Sequence, residues 1–175
     1  EALQASGEIQ TPLSDDDILA TIDKGAFQGG RQSRFWTLDP IDGTKGFLRG
    51  GQYAVCLALI VDGNVELGVL GCPNLPCDKS KPKPADGEIR TSTMDGLGVM
   101  FVALRGHGAY SVPIDDVHAP LVPVCMRDLQ GDIRQATFCE SVDAGHSSLG
   151  TNARIAELLG MGDRHVRMDS QAKYG

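Results

Sequence analysis

The stretch from Tyr53 to Gly71 limits the fold more than any other part of the chain. Two apolar runs, Tyr53 to Val61 and Val65 to Gly71, are separated only by Asp62-Gly63-Asn64. Short β-favouring runs joined by a turn with Gly where φ is positive spell a β-hairpin. A second pair follows the same rule, with Leu97 to Leu104 and Gly108 to Val112 flanking Arg105-Gly106-His107. Two such hairpins commit this part of the chain to an antiparallel sheet. Between them, Cys72-Pro73-Asn74-Leu75-Pro76 ends a strand, and residues 77–92, containing KSKPKPADGE, read as a solvated connection.

The pattern changes near Asp132 to strand, helix, strand: Ala136 to Cys139, a helix striped by Ile155, Leu158 and Leu159 and stopped near Gly160, then His165 to Met168. The expected architecture is therefore α+β passing into α/β: residues 1–131 in a largely antiparallel first domain, 132–175 opening a second. Open α/β sheets bind ligands beyond the carboxyl ends of their strands, here Glu140-Ser141 and Asp169-Ser170. Upstream, Ser14 to Phe27 reads as a helix, with Ser14 as N-cap, Asp17 at the capping-box position and Ile18, Leu19 and Ile22 as its apolar stripe. Capping and the helix dipole explain Asp15, Asp16 and Asp17 without a metal.

Chemistry concentrates in FWTLDPIDGTKGF, residues 35–47. Phe35, Trp36 and Leu38 predict a short buried strand that delivers Asp39 at its end, where Pro40 stops the ladder. On a continuous strand two carboxylates three residues apart face opposite ways, but a turn at Pro40 and Ile41 brings Asp39 and Asp42 to one side. Such a pair repels unless one carboxyl is protonated or a cation lies between them, and Mg²⁺ takes oxygen ligands of this kind, backbone carbonyls included. Gly43 lets the backbone approach a ligand, and Thr44 opens a helix whose first N–H groups lack partners. Taken alone, Asp-Gly-Thr is an ordinary Asx-type turn. Asp115, Asp116 and His118 fall in a Pro-bounded loop and read as solvated, while His107 and His165 have no constellation in the sequence around them.

A formal charge of −7 disfavours binding nucleic acid or an anionic membrane through the bulk surface. An acidic protein that takes a phosphate ester needs local positive charge, which bound cations supply. The five cysteines include no CxxC pair, so reduced, mostly buried thiols in a cytoplasmic protein are expected. No apolar run is long enough to cross a membrane.

WTLDPIDGTKGF resembles the metal-binding signature of the lithium-sensitive, magnesium-dependent phosphatases, the superfamily of inositol monophosphatase and fructose-1,6-bisphosphatase. Within it, Lys45-Gly46-Phe47 and GQYAVCLALIVDG are most similar to the 3′(2′),5′-bisphosphate nucleotidases, and GCPNLP at 71–76 and DSQAKYG at 169–175 continue the likeness. The resemblance implies an inositol-monophosphatase-like layered sandwich and a Mg²⁺ site held by Asp39, the Ile41 carbonyl and Asp42. It also implies that Thr44 contacts the phosphate and helps to activate the attacking water. Gly43 belongs to the same phosphate turn, and His146, Ser170 and Lys173 match residues that line the nucleotide cleft. The implied reaction is direct hydrolysis of adenosine 3′,5′-bisphosphate to AMP and phosphate, and of its sulfated analogue, without a covalent phosphoenzyme.

The family's upstream acidic ligand pair has no match in residues 1–34, and its Trp-Asp motif would follow Gly175. The chain thus reads as the middle portion of a protein roughly twice its length, expected alone to bind metal weakly and to turn over little. The alternatives are an inositol phosphate phosphatase of the same superfamily and a catalytically incomplete fragment that only binds nucleotide. The oligomeric state has no signature in the sequence.

Overall fold

The computed structural model describes residues 13–76, 98–116, 118–142, 149–161 and 165–175. Helix α1 (Asp15–Asp23) starts at the expected cap. Ser14 Oγ accepts from Asp17 N at 3.2 Å and Asp17 Oδ2 accepts from Ser14 N at 3.1 Å, both halves of a capping box. A 3₁₀ turn over Lys24–Ala26 completes the stretch. Its apolar stripe, however, is exposed at Ile18, Leu19 and Ile22, because no other described element packs extensively on that face.

Six strands follow one another in chain order across a single antiparallel sheet: β1 (Arg34–Asp42), β2 (Ala54–Val61), β3 (Asn64–Cys72), β4 (Val99–Leu104), β5 (Gly108–Pro113) and β6 (Val122–Val124). The β2–β3 connection is tighter than the sequence suggested, since Asn64 already pairs with Val61. Asp62 and Gly63 both take positive φ, 48° and 79°, the two-residue turn whose twist matches the flanking strands. β6 contains Pro123, which a sheet tolerates at its edge.

Two expectations for β1 are corrected. Pro40 does not end the ladder. Asp39 pairs with Cys56 and Asp42 with Ala54, and the intervening residues bulge. Proline is tolerated on edge strands and at bulges, and Pro40 occupies both. Nor is the strand buried: Trp36 and Leu38 are 53% and 58% exposed. They lie on the sheet face shared with Leu57, Leu59, Leu67 and Leu104, as the register shows.

Beyond the meander, β7 (Phe138–Glu140) and β8 (His165–Arg167) pair in parallel as a separate two-stranded sheet, with α3 (Leu149–Leu159) between them in sequence. Gly160 ends α3 at φ +65°. The chain then turns into a 3₁₀ helix, Gln171–Tyr174, against β2 and β3. The buried centre, Ala54, Cys72, Val99, Met168 and Ala172, therefore joins the six-stranded sheet to the segment after β8. The whole is an α+β layered arrangement.

Of the four cysteines among the described residues only Cys72 is buried; Cys56 is half-buried and Cys125 and Cys139 are exposed, which corrects the expectation of mostly buried thiols. Burial, with Cys56 as a lesser contributor, pushes the Cys72 thiol up to about 12.

Candidate active site

The bulge in β1 gives the site its shape. Asp39 Oδ1 accepts from Ile41 N at 3.2 Å, an Asx turn that folds the chain around Pro40. Thr44 Oγ1 donates to the Ile41 carbonyl at 3.4 Å, so Asp39, Ile41 and Thr44 form one small knot. Gly43 caps the five-residue helix α2 (Thr44–Leu48) in the left-handed region, φ +82°. A side chain is excluded there twice over, since a Cβ would also lie 2.5 Å from Ser170 Cβ.

Both carboxylates act on Cys56. Burial, then Asp42, then Asp39 push its thiol up. No described basic side chain pairs with either carboxylate. They do not face the same hollow, however. Asp42 lines a polar cleft of about 470 Å³ together with Thr44, Lys45, Ser141, Ser170 and Lys173. Asp39 stands at the rim of a neighbouring apolar hollow of about 440 Å³ on the sheet face, walled by Cys56, Leu70 and Phe101. The polar cleft holds the cations and hydroxyls that a phosphate ester requires.

Its second wall is the turn after β8. Ser170 adopts φ 65°, ψ −174°, a conformation normally reserved for glycine and costing about 1–3 kcal/mol. Its Oγ accepts from Ala172 N at 3.1 Å and its carbonyl accepts from Lys173 Nζ at 3.0 Å. Lys173 is further placed by the Tyr174 ring, 5.6 Å from its Nζ. The Gln171 N–H donates to Asp42 Oδ2 across a separation of 129 residues and so ties the two walls together.

The ends of β7 and β8 are held level by Glu140, which is 3% exposed. It accepts from Arg167 Nε and Asn152 Nδ2, each at 3.0 Å, with His165 Nδ1 at 3.5 Å. His165 thus has a constellation after all, made by strand pairing. Burial pushes the Glu140 carboxyl up, but the bonds from Asn152 and Arg167 and the nearby charges of His165 and Arg167 outweigh it, leaving it below its ordinary value. A carboxyl lowered on folding stabilises above its unfolded pKa, about 4.3, and that stabilisation fades as pH falls through the folded value. Glu140→Gln is therefore expected to flatten the loss of thermal stability between roughly pH 5 and pH 3. Melting curves across that range check it; an acid limb as steep as the wild type's would reject the assignment.

Of the residues expected from the sequence, Asp42, Gly43, Thr44, Ser170 and Lys173 line the cleft, Asp39 lines the neighbouring hollow instead, and Ile41 is joined to Thr44 through its carbonyl. His146 lies outside the described residues. Lys45 and Ser141 line the cleft as well; the first was legible in the signature and the second as a strand end. The Gln171 N–H and the Arg49–Asp169 ion pair, 2.6 Å between Nη2 and Oδ2, had no signal in the sequence.

The layered α+β sheet and its cleft are those of a phosphatase family: the chain belongs to the inositol monophosphatase family, whose pattern matches residues 1–175. Curated relatives narrow the comparison. The chain is 49% identical over 162 residues to the 3′(2′),5′-bisphosphate nucleotidase of Emericella nidulans, covering 92% of this chain and 46% of that protein. It is 45% identical over 163 residues to 3′(2′),5′-bisphosphate nucleotidase 1 of Arabidopsis thaliana, covering 93% and 44%. The chain thus spans a little under half the length of these relatives. Among solved structures the fold resembles SuhB of Mycobacterium tuberculosis, TM-score 0.51 at 19% identity over 89% of this chain and 53% of that one. It also resembles CysQ of Bacteroides thetaiotaomicron, TM-score 0.50 at 20% identity over 90% and 58%.

Proposed function

We propose that this chain contributes the phosphate corner and one nucleotide wall of a magnesium-dependent phosphomonoesterase that releases phosphate from adenosine 3′,5′-bisphosphate, and from its sulfated analogue. The observation that carries the reading is the meeting of Asp42, Thr44, Ser170 and Lys173 in one cleft, in a chain whose curated relatives are bisphosphate nucleotidases.

The donors are of the type that a hard cation takes, although Asp39 and Asp42 line adjacent hollows. Asp39, Asp42 and the Ile41 carbonyl are all oxygen donors, and the two carboxylates lack a basic partner among the described residues. Among the described residues no cluster of three or more His, Cys, Asp or Glu side chains occurs; Mg²⁺ is commonly held by one or two carboxylates plus substrate oxygens. When bound at these residues, Mg²⁺ would supply charge neutralisation at the phosphoryl group and a lowered pKa for water.

The remaining roles belong to the chain. The Thr44 hydroxyl donates to the Ile41 carbonyl and keeps its oxygen as an acceptor, able to hold a water by its proton. Lys173 spends one N–H on the Ser170 carbonyl and has others for a second phosphate. The Gln171 N–H fixes Asp42 Oδ2 and so orients the carboxylate.

Phosphate release from the full-length gene product tests the reading, with adenosine 3′,5′-bisphosphate and inositol 1-phosphate compared with and without Mg²⁺. A kcat/KM at least about tenfold higher for the bisphosphate, abolished by EDTA, is expected. Preference for the inositol ester would favour the sister activity, and calorimetric binding of bisphosphate without turnover would reduce the role to nucleotide binding.

A further inference from the structure

We propose that Arg49 is a positioning residue whose ion pair with buried Asp169 is the clasp that sets the angle of α2 and, through it, the place of Thr44 in the cleft. What it says of turnover rests on the phosphatase reading above; what it says of α2 rests on geometry alone.

Helix α2 has five residues. Isolated helices shorter than about 12 residues are marginal, so α2 cannot hold its own position and depends on tertiary ties. Some of those ties lie on its own C-terminal side, where Gly46 packs on the Gln52 carbonyl and Phe47 meets Tyr53 edge to face; three others run along one short segment after β8. At its N-terminal end Gly43 lies against Ser170, where a Cβ would come within 2.5 Å of the serine Cβ. In its middle a Cβ on Gly46 would stand 2.9 Å from Asp169 Cβ and Oδ2. At the C-cap, Arg49 Nη2 meets Asp169 Oδ2 at 2.6 Å.

Only the last of these is a charge-assisted bond, and it acts at the end of the helix farther from Thr44. Asp169 is 7% exposed, whereas the Arg49 side chain is half-exposed. The carboxylate is thus committed to the interior and the guanidinium reaches in to meet it. Without that tie, α2 can tilt about Gly43, whose left-handed backbone is the flexible point of the corner, and Thr44 moves with it. Displacement of a reacting group by about 1 Å costs on the order of 10²-fold in rate.

Arg49→Met combined with Asp169→Asn removes both charges together, so no unpaired ion is left buried. Arg49→Lys keeps the charge but not the planar fork. Both are made in the full-length protein and compared by melting, amide hydrogen exchange and steady-state kinetics. In the double variant the amides of Phe47, Gly50 and Gly51 should exchange at least about tenfold faster while those of β2 and β3 are unchanged. Its kcat should fall about 10²-fold with KM within about threefold, and Arg49→Lys should recover part of both effects. A purely structural role would lower the melting temperature and the active fraction but leave the kcat of the folded enzyme intact.

Unchanged exchange at residues 47–51 overturns the clasp, whatever the substrate. Faster exchange with wild-type kcat overturns the positioning of Thr44. A wild-type protein that hydrolyses no phosphoester overturns the phosphatase reading instead, and exchange then decides the clasp by itself. Should the double variant not fold, exchange in Arg49→Lys decides the same question: faster exchange at residues 47–51 supports the clasp and wild-type exchange overturns it.

Discussion

Asp39→Asn in the full-length protein should lower hydrolysis of adenosine 3′,5′-bisphosphate by about 10³-fold, which corresponds to ~4 kcal/mol of barrier. The loss should come without unfolding. Asp39 is exposed, and its hydrogen bond is accepted from Ile41 N, which an asparagine carbonyl oxygen can also accept. Only the charge disappears, and with it half of the negative pair beside Cys56. Excess Mg²⁺ should recover part of the rate at most, because the carboxamide is a far poorer partner for a hard cation. Steady-state rates across a magnesium titration, beside a thermal melt, decide the matter. A folded variant retaining rates within threefold of wild type would remove Asp39 from the site.

The second large effect is on the fold. A Cβ on Gly46 would stand 2.2 Å from the Gln52 carbonyl oxygen and 2.9 Å from Asp169. Neither neighbour yields easily. The Gln52 side chain donates to the Asn74 carbonyl, the Asn74 amide donates to the Gly51 carbonyl, both at 2.6 Å, and Gly51 N donates back to Gly46. Gly46→Ala should therefore cost about 2–4 kcal/mol and lower the melting temperature by roughly 5–15 °C. Gly68, in β3, is the control, because a Cβ there meets nothing within 4 Å. Gly68→Ala should melt within about two degrees of wild type. Equal melting of the Gly46 and Gly68 variants would contradict the close approach of the Gln52 backbone to α2.

How far the sequence could be read follows from the range of the forces involved. The capping box of α1 and the turn between β2 and β3 depend on residues within four positions of one another, and both were legible. Pro40 showed that the ladder is interrupted, but a strand end and a bulge on an outer strand satisfy the same local constraint. Topology chose the bulge. The apolar pattern of Trp36 and Leu38 marked a face that avoids water without naming what lies over it. Within the candidate site, the stretch from Asp39 to Thr44 is contiguous and so could be singled out from the sequence, but that Asp42, Gly43 and Thr44 line one cleft while Asp39 lines the neighbouring hollow could not. On the opposing wall, Ser170 and Lys173 were legible through resemblance, and Ser141 and Asp169 as strand ends. Its ties to the corner, Gln171 to Asp42 and Arg49 to Asp169, span 129 and 120 residues and leave no periodicity to detect. The change in pattern near residue 132 was plain in the sequence; that one buried cluster takes residues from both sides of it, Val99 and Met168 among them, was not.

Among the described strands β1 is outermost, which bears on strand pairing as well as on chemistry. An open strand margin invites a foreign peptide to add itself by backbone pairing. Here that margin is interrupted at Pro40, which has no proton to offer an intruder, and is kinked by the bulge between Asp39 and Asp42. The same irregularity that parts Asp39 from Asp42 also spoils the template that an aggregating neighbour would need.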